Sequence, residues 1–76
     1  MDSAAEVDAR ALNCPLPILR AKKALAALES GQLLRVLTTD GGAREDFAAF
    51  AQQTGNALVE QREEEGGVTV HVLRRR

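Results

Sequence analysis

At 76 residues the chain has room for one domain, and about three fifths of its unfolded surface can be buried on folding. Hydrophobic residues make up 45% and charged residues 28%, a globular balance, and the net charge of −1 gives no general electrostatic reason to bind nucleic acid. One cysteine excludes an internal disulfide, and no apolar run approaches the roughly eighteen residues of a membrane span.

Residues 1–5 are expected to form a flexible N-terminal tail and residues 6–76 the single domain. Met1 to Glu6 is acidic and lacks the apolar segment of a secretion signal, so a reducing cytoplasm is the expected compartment. Val7 and Ala9 alternate with Glu6, Asp8 and Arg10, the pattern of a short strand with one covered face. From Pro15 to Glu29 the apolar positions Ile18, Ala21, Leu25 and Leu28 recur at helical spacing, and Ser30-Gly31 is expected to stop that helix. Leu33 to Thr39, aliphatic and β-branched without glycine or proline, predicts a central strand.

Asp40-Gly41-Gly42 breaks the pattern, and a second helix is expected over Ala43 to Thr54, with Ala43, Phe47, Phe50 and Ala51 on its buried face. Gly55-Asn56 ends it. The remainder predicts a hairpin, with one strand over Ala57 to Arg62, a turn at Glu64-Glu65-Gly66-Gly67, and a second strand from Val68 to Leu73. In that last strand Val68, Val70 and Val72 are expected on the covered face and His71 on the polar one. The terminal Arg74, Arg75 and Arg76 are expected to form a solvated tail. Alternation in each strand points to a two-layer α/β (α+β) sandwich in βαβαββ order: a four-stranded mixed sheet with both helices on one face and a relatively polar opposite face.

Chemistry concentrates at Asn13-Cys14-Pro15-Leu16-Pro17, where the only cysteine precedes a proline-marked helix start. Pro15 and Pro17 suit a first turn, whose N–H groups have no intrahelical partner, and they stiffen the chain around the sulfur. A helix end stabilises a thiolate by about 0.3–1 kcal/mol, less than one pKa unit, so stronger activation needs a cation. Arg10, Arg20, Lys22 and Lys23 are the candidates. On this local pattern two readings stand: a reactive thiol, or a small cysteine packed behind the helix start. A Cys-x-x-Cys pair is impossible, Cys14 and His71 supply too few soft ligands for a metal, and His71 has no evident orienting partner for work as a base. Asp40 can cap the second helix or face the same sheet rim as Cys14, and Asp46 suits that helix's positive end.

The run Val7-Asp8-Ala9-Arg10-Ala11-Leu12-Asn13-Cys14-Pro15-Leu16-Pro17, together with Gly31, Thr39-Asp40, Asp46 and Gly55, resembles the TusA/SirA-like family of small sulfur-carrier proteins. The resemblance covers nearly the whole chain. It implies the same βαβαββ sandwich and a persulfide carrier in which Cys14 accepts a sulfane sulfur from a desulfurase or rhodanese-like donor and relays it to an acceptor protein. It also implies a supporting role for Asp40 near the transfer site, with Pro15 and Pro17 shaping the turn, and a partner-facing basic surface at Arg20, Lys22 and Lys23. Such a carrier is sulfurtransferase-like rather than a self-contained enzyme. A monomer without cofactor, metal, membrane or direct nucleic-acid contact is expected. Two departures are visible: Ala11 stands where the family commonly has glycine, and Gly41 where it often has proline. The alternative reading is a non-catalytic regulatory or interaction module that binds a protein or nucleic acid through its polar sheet face.

Overall fold

The computed structural model describes residues 3–76. Strand β1 (Ala5–Ala9), helix α1 (Leu16–Ala26), strand β2 (Leu33–Thr38), helix α2 (Ala43–Thr54), strand β3 (Ala57–Glu64), a 3-10 turn (Glu65–Gly67) and strand β4 (Val68–Arg74) follow in the expected βαβαββ order. The four-stranded sheet runs β1-β2-β4-β3, with β1 parallel to β2 and β4 antiparallel to both of its neighbours. β2 is therefore central, and β4 is inserted between two strands that run the same way. Ala21 and Leu25 of α1 and Ala43, Phe47, Phe50 and Ala51 of α2 close over Ala9, Leu34, Val36 and Leu73, forming one core on one sheet face.

Several boundaries differ from expectation, each for a local reason. Met1 and Asp2 of the expected tail lie outside the described residues, whereas Ala5 already pairs with Leu34 and the Ala4 N–H donates to the Leu33 carbonyl at 2.8 Å. α1 stops at Ala26, short of Glu29. Its last turn tightens as Ala27 N–H and Leu28 N–H donate to the carbonyls of Ala24 and Leu25, and the Arg75 guanidinium donates to the Leu25 carbonyl at 2.8 Å. Gly31, at φ 87°, turns the chain afterwards instead of capping the helix. Gly55, at φ 81°, does cap α2 in the left-handed conformation.

The terminal arginines are not a solvated tail. Arg74 belongs to β4, Arg75 exchanges backbone hydrogen bonds with Gln32 and Gly31, and the Arg76 N–H donates to Asn56 Oδ1 at 2.8 Å. β3 continues to Glu64, and Gly66 and Gly67 carry the turn at φ 77° and 74°, which glycine adopts at no steric cost.

The largest correction concerns β4. Register with β2 places Thr69, His71 and Leu73 beside Thr38, Val36 and Leu34, on the helix-covered face. Val70 and Val72 face the other way, yet both are buried. Val70 sits between Leu37 and Arg62 and Val72 between Arg35 and Glu60, so long charged side chains lay their apolar stems beside them. Their heads pair with one another, Arg35 with Glu6 and Glu64, and Arg62 with Glu60 and Glu64.

His71 is thus a core residue, fully buried and stacked on Phe47 with ring centroids 4.5 Å apart. Gln61 donates one amide hydrogen to the Arg44 carbonyl at 2.8 Å and one to His71 Nδ1 at 3.0 Å. That leaves the ring proton on Nε2, which donates to Thr38 Oγ1 at 2.8 Å. Burial, with a smaller contribution from Arg44, pushes the His71 pKa down from 6.5 to about 4. Between those values the unfolded chain binds more protons than the folded one, so stability is complete above pH 6.5 and falls as the pH drops toward 4. The expected loss is up to about 3 kcal/mol, measurable by urea unfolding between about pH 7.5 and about pH 4.5. A His71→Gln variant should lack this slope. Asp8, held at about 2 by the Arg10 guanidinium, adds its own slope only below the window.

Candidate functional site

Because β1 and β2 are parallel, both leave the sheet at the edge where Ala9 faces Thr38. The chain after β1 runs through Cys14 into α1, and the chain after β2 runs through Asp40 into α2, so both helices begin at one rim. Ligand and transfer sites of α/β sheets collect at such carboxyl ends. Two contacts hold the loops in place: the Ala11 N–H donates to Thr39 Oγ1 at 2.8 Å, and the Leu12 N–H closes a turn onto the Ala9 carbonyl at 3.3 Å.

Ala11 is the third residue of that turn and has φ 65°, the left-handed value that favours glycine there. Alanine instead of glycine therefore does not abolish the turn, but it carries a cost of about 1–2 kcal/mol, partly offset by the smaller unfolded-state entropy of alanine. Ala11→Gly is expected to stabilise the protein by about 0.5–1 kcal/mol and raise the melting temperature by a few degrees. Thermal unfolding followed by circular dichroism checks this; a lower melting temperature would contradict it.

Cys14 is a free, exposed thiol. Its peptide bond to Pro15 is cis, Pro15 occupies the N-cap of α1, and Pro17 is buried in the first turn. The Leu16 N–H is used by the Asn13 carbonyl at 2.9 Å, and the Leu19 N–H by the Pro15 carbonyl at 3.1 Å. The expected activation by the helix end does not prevail. The Asp46 carboxylate raises the Cys14 pKa above the ordinary thiol range, with smaller contributions from local desolvation and from the charges of Asp46 and Asp40.

Nor do the expected cations gather at the sulfur. Arg10 is held by Asp8 through two hydrogen bonds of 2.8 Å. Arg20 and Lys23 border an open groove between α1 and β1, together with Leu16 and Leu19, which are 46% and 53% exposed. Lys22 borders a different hollow, beside Arg75 and Arg76. Asp40 does not cap α2 with its side chain, because the N-cap is Gly42 and has no side-chain hydrogen bond. Instead the Asp40 carbonyl accepts the Ala43 N–H at 3.1 Å, and a Cβ built at Gly42 would lie 3.5 Å from Asp40 Oδ2 and 3.8 Å from Asp46 Oδ2. Both carboxylates thus flank the Gly41-Gly42 turn. In sequence Asp46 reads only as a favourable charge in a helix's first turn; the parallel pairing of β1 and β2 is the signal that links it to the cysteine.

The family described as Sulfurtransferase TusA matches residues 5–75. The chain belongs to the TusA sulfurtransferase family. It is 64% identical over 61 residues to the sulfur carrier protein TusA of Allochromatium vinosum, covering 80% of each chain. It is 54% identical over 66 residues to a putative sulfur carrier protein of Neisseria meningitidis, covering 87% of this chain and 89% of that one. The crystal structure of a SirA-like protein from Desulfitobacterium hafniense superposes with a TM-score of 0.83 at 34% identity, covering 92% of this chain and 95% of its own. Membership in the TusA family identifies a sulfur-carrier role, and the βαβαββ sandwich is that of the SirA-like relative. Among the described residues no helix is long and apolar enough to cross a membrane.

Proposed function

We propose that Cys14 is the sulfur-bearing residue, accepting a sulfane sulfur as a persulfide from a donor protein and relaying it to an acceptor protein. The observation that carries this reading is the placement of the chain's only cysteine, free and exposed, at the rim where both helices begin. A carrier needs its sulfur where two large partners can reach it in turn, and Cys14 is exposed. Pro15 and Pro17 fix the direction of the turn that presents it. Asp40 contributes negative charge beside the thiol, and Arg20 and Lys23, sharing a groove with exposed Leu16 and Leu19, are the partner-facing residues; Lys22 lies outside that groove.

Donors of the desulfurase or rhodanese type and a cytoplasmic setting fit this chemistry, because a persulfide survives only where oxidants are scarce. The test is to incubate the protein with a cysteine desulfurase and cysteine and weigh it intact. Addition of one sulfur atom, removed again by a dithiol reductant, is the expected result. No added sulfur, or sulfur that resists the reductant, would overturn the proposal.

A further inference from the structure

The two edges of the sheet are built differently. β3, at one end, carries a register shift between Leu58 and Glu60 and the charged residues Glu60, Arg62, Glu63 and Glu64, features that discourage another strand from adding there. β1, at the other end, pairs with β2 in an unbroken register from Ala5 beside Leu34 to Ala9 beside Thr38. Among the described residues no strand lies on its outer side, so the N–H and C=O groups that point outward there are open to another chain.

Helix α1 presents two stripes. Pro17, Ala21 and Leu25 are buried. Leu16, Leu19, Arg20, Lys23, Ala24 and Ala27 recur at helical spacing on another face and line an open groove together with Glu6, Val7 and Asp8 of β1. Among the described residues Leu16 and Leu19 are the large apolar side chains left exposed, and both lie here.

The charges of the groove are unevenly matched. Glu6 lies 3.8 Å from Arg35 and Asp8 lies 2.8 Å from Arg10, so the β1 carboxylates are answered from within the chain. Arg20 and Lys23 have no ion-pair partner among the described residues. An open strand edge, exposed apolar area and uncompensated positive charge therefore lie side by side.

Resting on the reading of Arg20 and Lys23 as partner-facing, we propose that this groove receives an extended acidic segment of a partner protein, which adds to β1 as a fifth strand. Main-chain hydrogen bonds to the open edge hold the segment. Its alternate side chains select it, apolar ones packing on Leu16 and Leu19 and carboxylates meeting Arg20 and Lys23. Leu16 follows Cys14-Pro15 directly, so a segment seated here brings its parent protein to the exposed thiol. A second copy of the chain fits less well. Paired edge to edge about a two-fold axis, it would bring another Arg20 and Lys23 to a junction that lacks negative charge.

The probe is a synthetic peptide of about eight residues, with threonine at every second position and leucine and glutamate by turns between them. It is titrated into the isotope-labelled full chain and followed by NMR. Amide shifts should concentrate on β1 and α1, and outward-pointing amides of β1 should exchange with solvent more slowly. Lysine in place of glutamate in the peptide should weaken binding by about fivefold, and the doubly substituted Arg20→Glu, Lys23→Glu protein should reverse that preference. Two further peptides carry N-methyl groups on one or the other alternate set of residues. One set faces β1 and should lose at least about tenfold in affinity, while the other should bind nearly as before.

Equal binding by both methylated peptides would mean that side chains dock without an added strand, and that result overturns the proposal. So would shifts centred away from β1, equal binding of the lysine peptide, or β1 shifts that follow protein concentration without peptide, the sign of a second copy. Sulfur uptake from a loaded desulfurase separates this proposal from the readings beneath it. Uptake slowed in the Arg20→Glu, Lys23→Glu protein without any peptide binding would keep the groove partner-facing and overturn the added strand alone. Peptide binding by a wild-type protein that takes up no sulfur would overturn the carrier reading and leave the strand site in place.

Discussion

Cys14→Ser is expected to reduce sulfur uptake from a persulfide donor to background while leaving the fold unchanged. The two halves of that statement have separate physical grounds. A serine hydroxyl cannot form a persulfide, and no second cysteine is present to replace the lost sulfur, so the loss of uptake should be complete rather than graded. The side chain is exposed and packs into no core, so the stability change should stay within about 0.5 kcal/mol. Intact-mass measurement after exposure to a loaded desulfurase, paired with urea unfolding of the same sample, reads both. Residual uptake in the serine variant would remove Cys14 from the mechanism. A large loss of stability would mean that the cysteine also serves packing, the bland reading that the sequence left open.

The largest effect on stability should come from Phe47→Ala. Phe47 is fully buried, meets Phe50 edge to face at 6.3 Å and 79°, and stacks on His71. These are the only aromatic side chains apart from the His71 ring, and much of the remaining core is alanine, which cannot expand into the space. Removing a buried phenylalanine costs about 3–5 kcal/mol. A domain of this size has about 4–11 kcal/mol in total, so the variant should be marginal at room temperature and its melting temperature lower by more than about 10 °C. Phe50, 8% exposed at the edge of the same cluster, should cost less when truncated. A Phe47→Ala penalty below about 1 kcal/mol in urea unfolding would show that the core closes around the cavity.

Element order and the extent of α2 were legible because each rests on local physics. Helical spacing of apolar residues, Gly55 at the end of α2 and Gly66-Gly67 between the last strands mark them without reference to the rest of the chain. The orientation of β4 was not. Val68, Val70 and Val72 alternate with Thr69, His71 and Leu73, and both sets look apolar enough to be the covered one. A strand with paired neighbours on both sides can bury both faces, here under helices on one side and under the stems of Arg35 and Arg62 on the other. His71 accordingly lies in the core, where Gln61 and Thr38 satisfy its two nitrogens. The ends of α1 and the terminal arginines were misjudged for a related reason, since Arg75 reaches the last turn of α1 from 50 residues away in sequence.

By itself the sequence singled out one cysteine, framed by Pro15 and Pro17 at a helix start, as the candidate for the chemistry, because spacing and backbone constraint at that point are properties of neighbouring residues. What surrounds the sulfur was decided by tertiary structure alone. Parallel pairing of β1 with β2 brings the start of α2 to the start of α1, so the Asp46 and Asp40 carboxylates raise the Cys14 pKa, while Arg10 pairs with Asp8 and Arg20, Lys22 and Lys23 border other surfaces. Electrostatic influence falls off over a few ångströms of space, not over residues of sequence. The thiol consequently sits in an acidic setting, opposite to what its own helix end suggested.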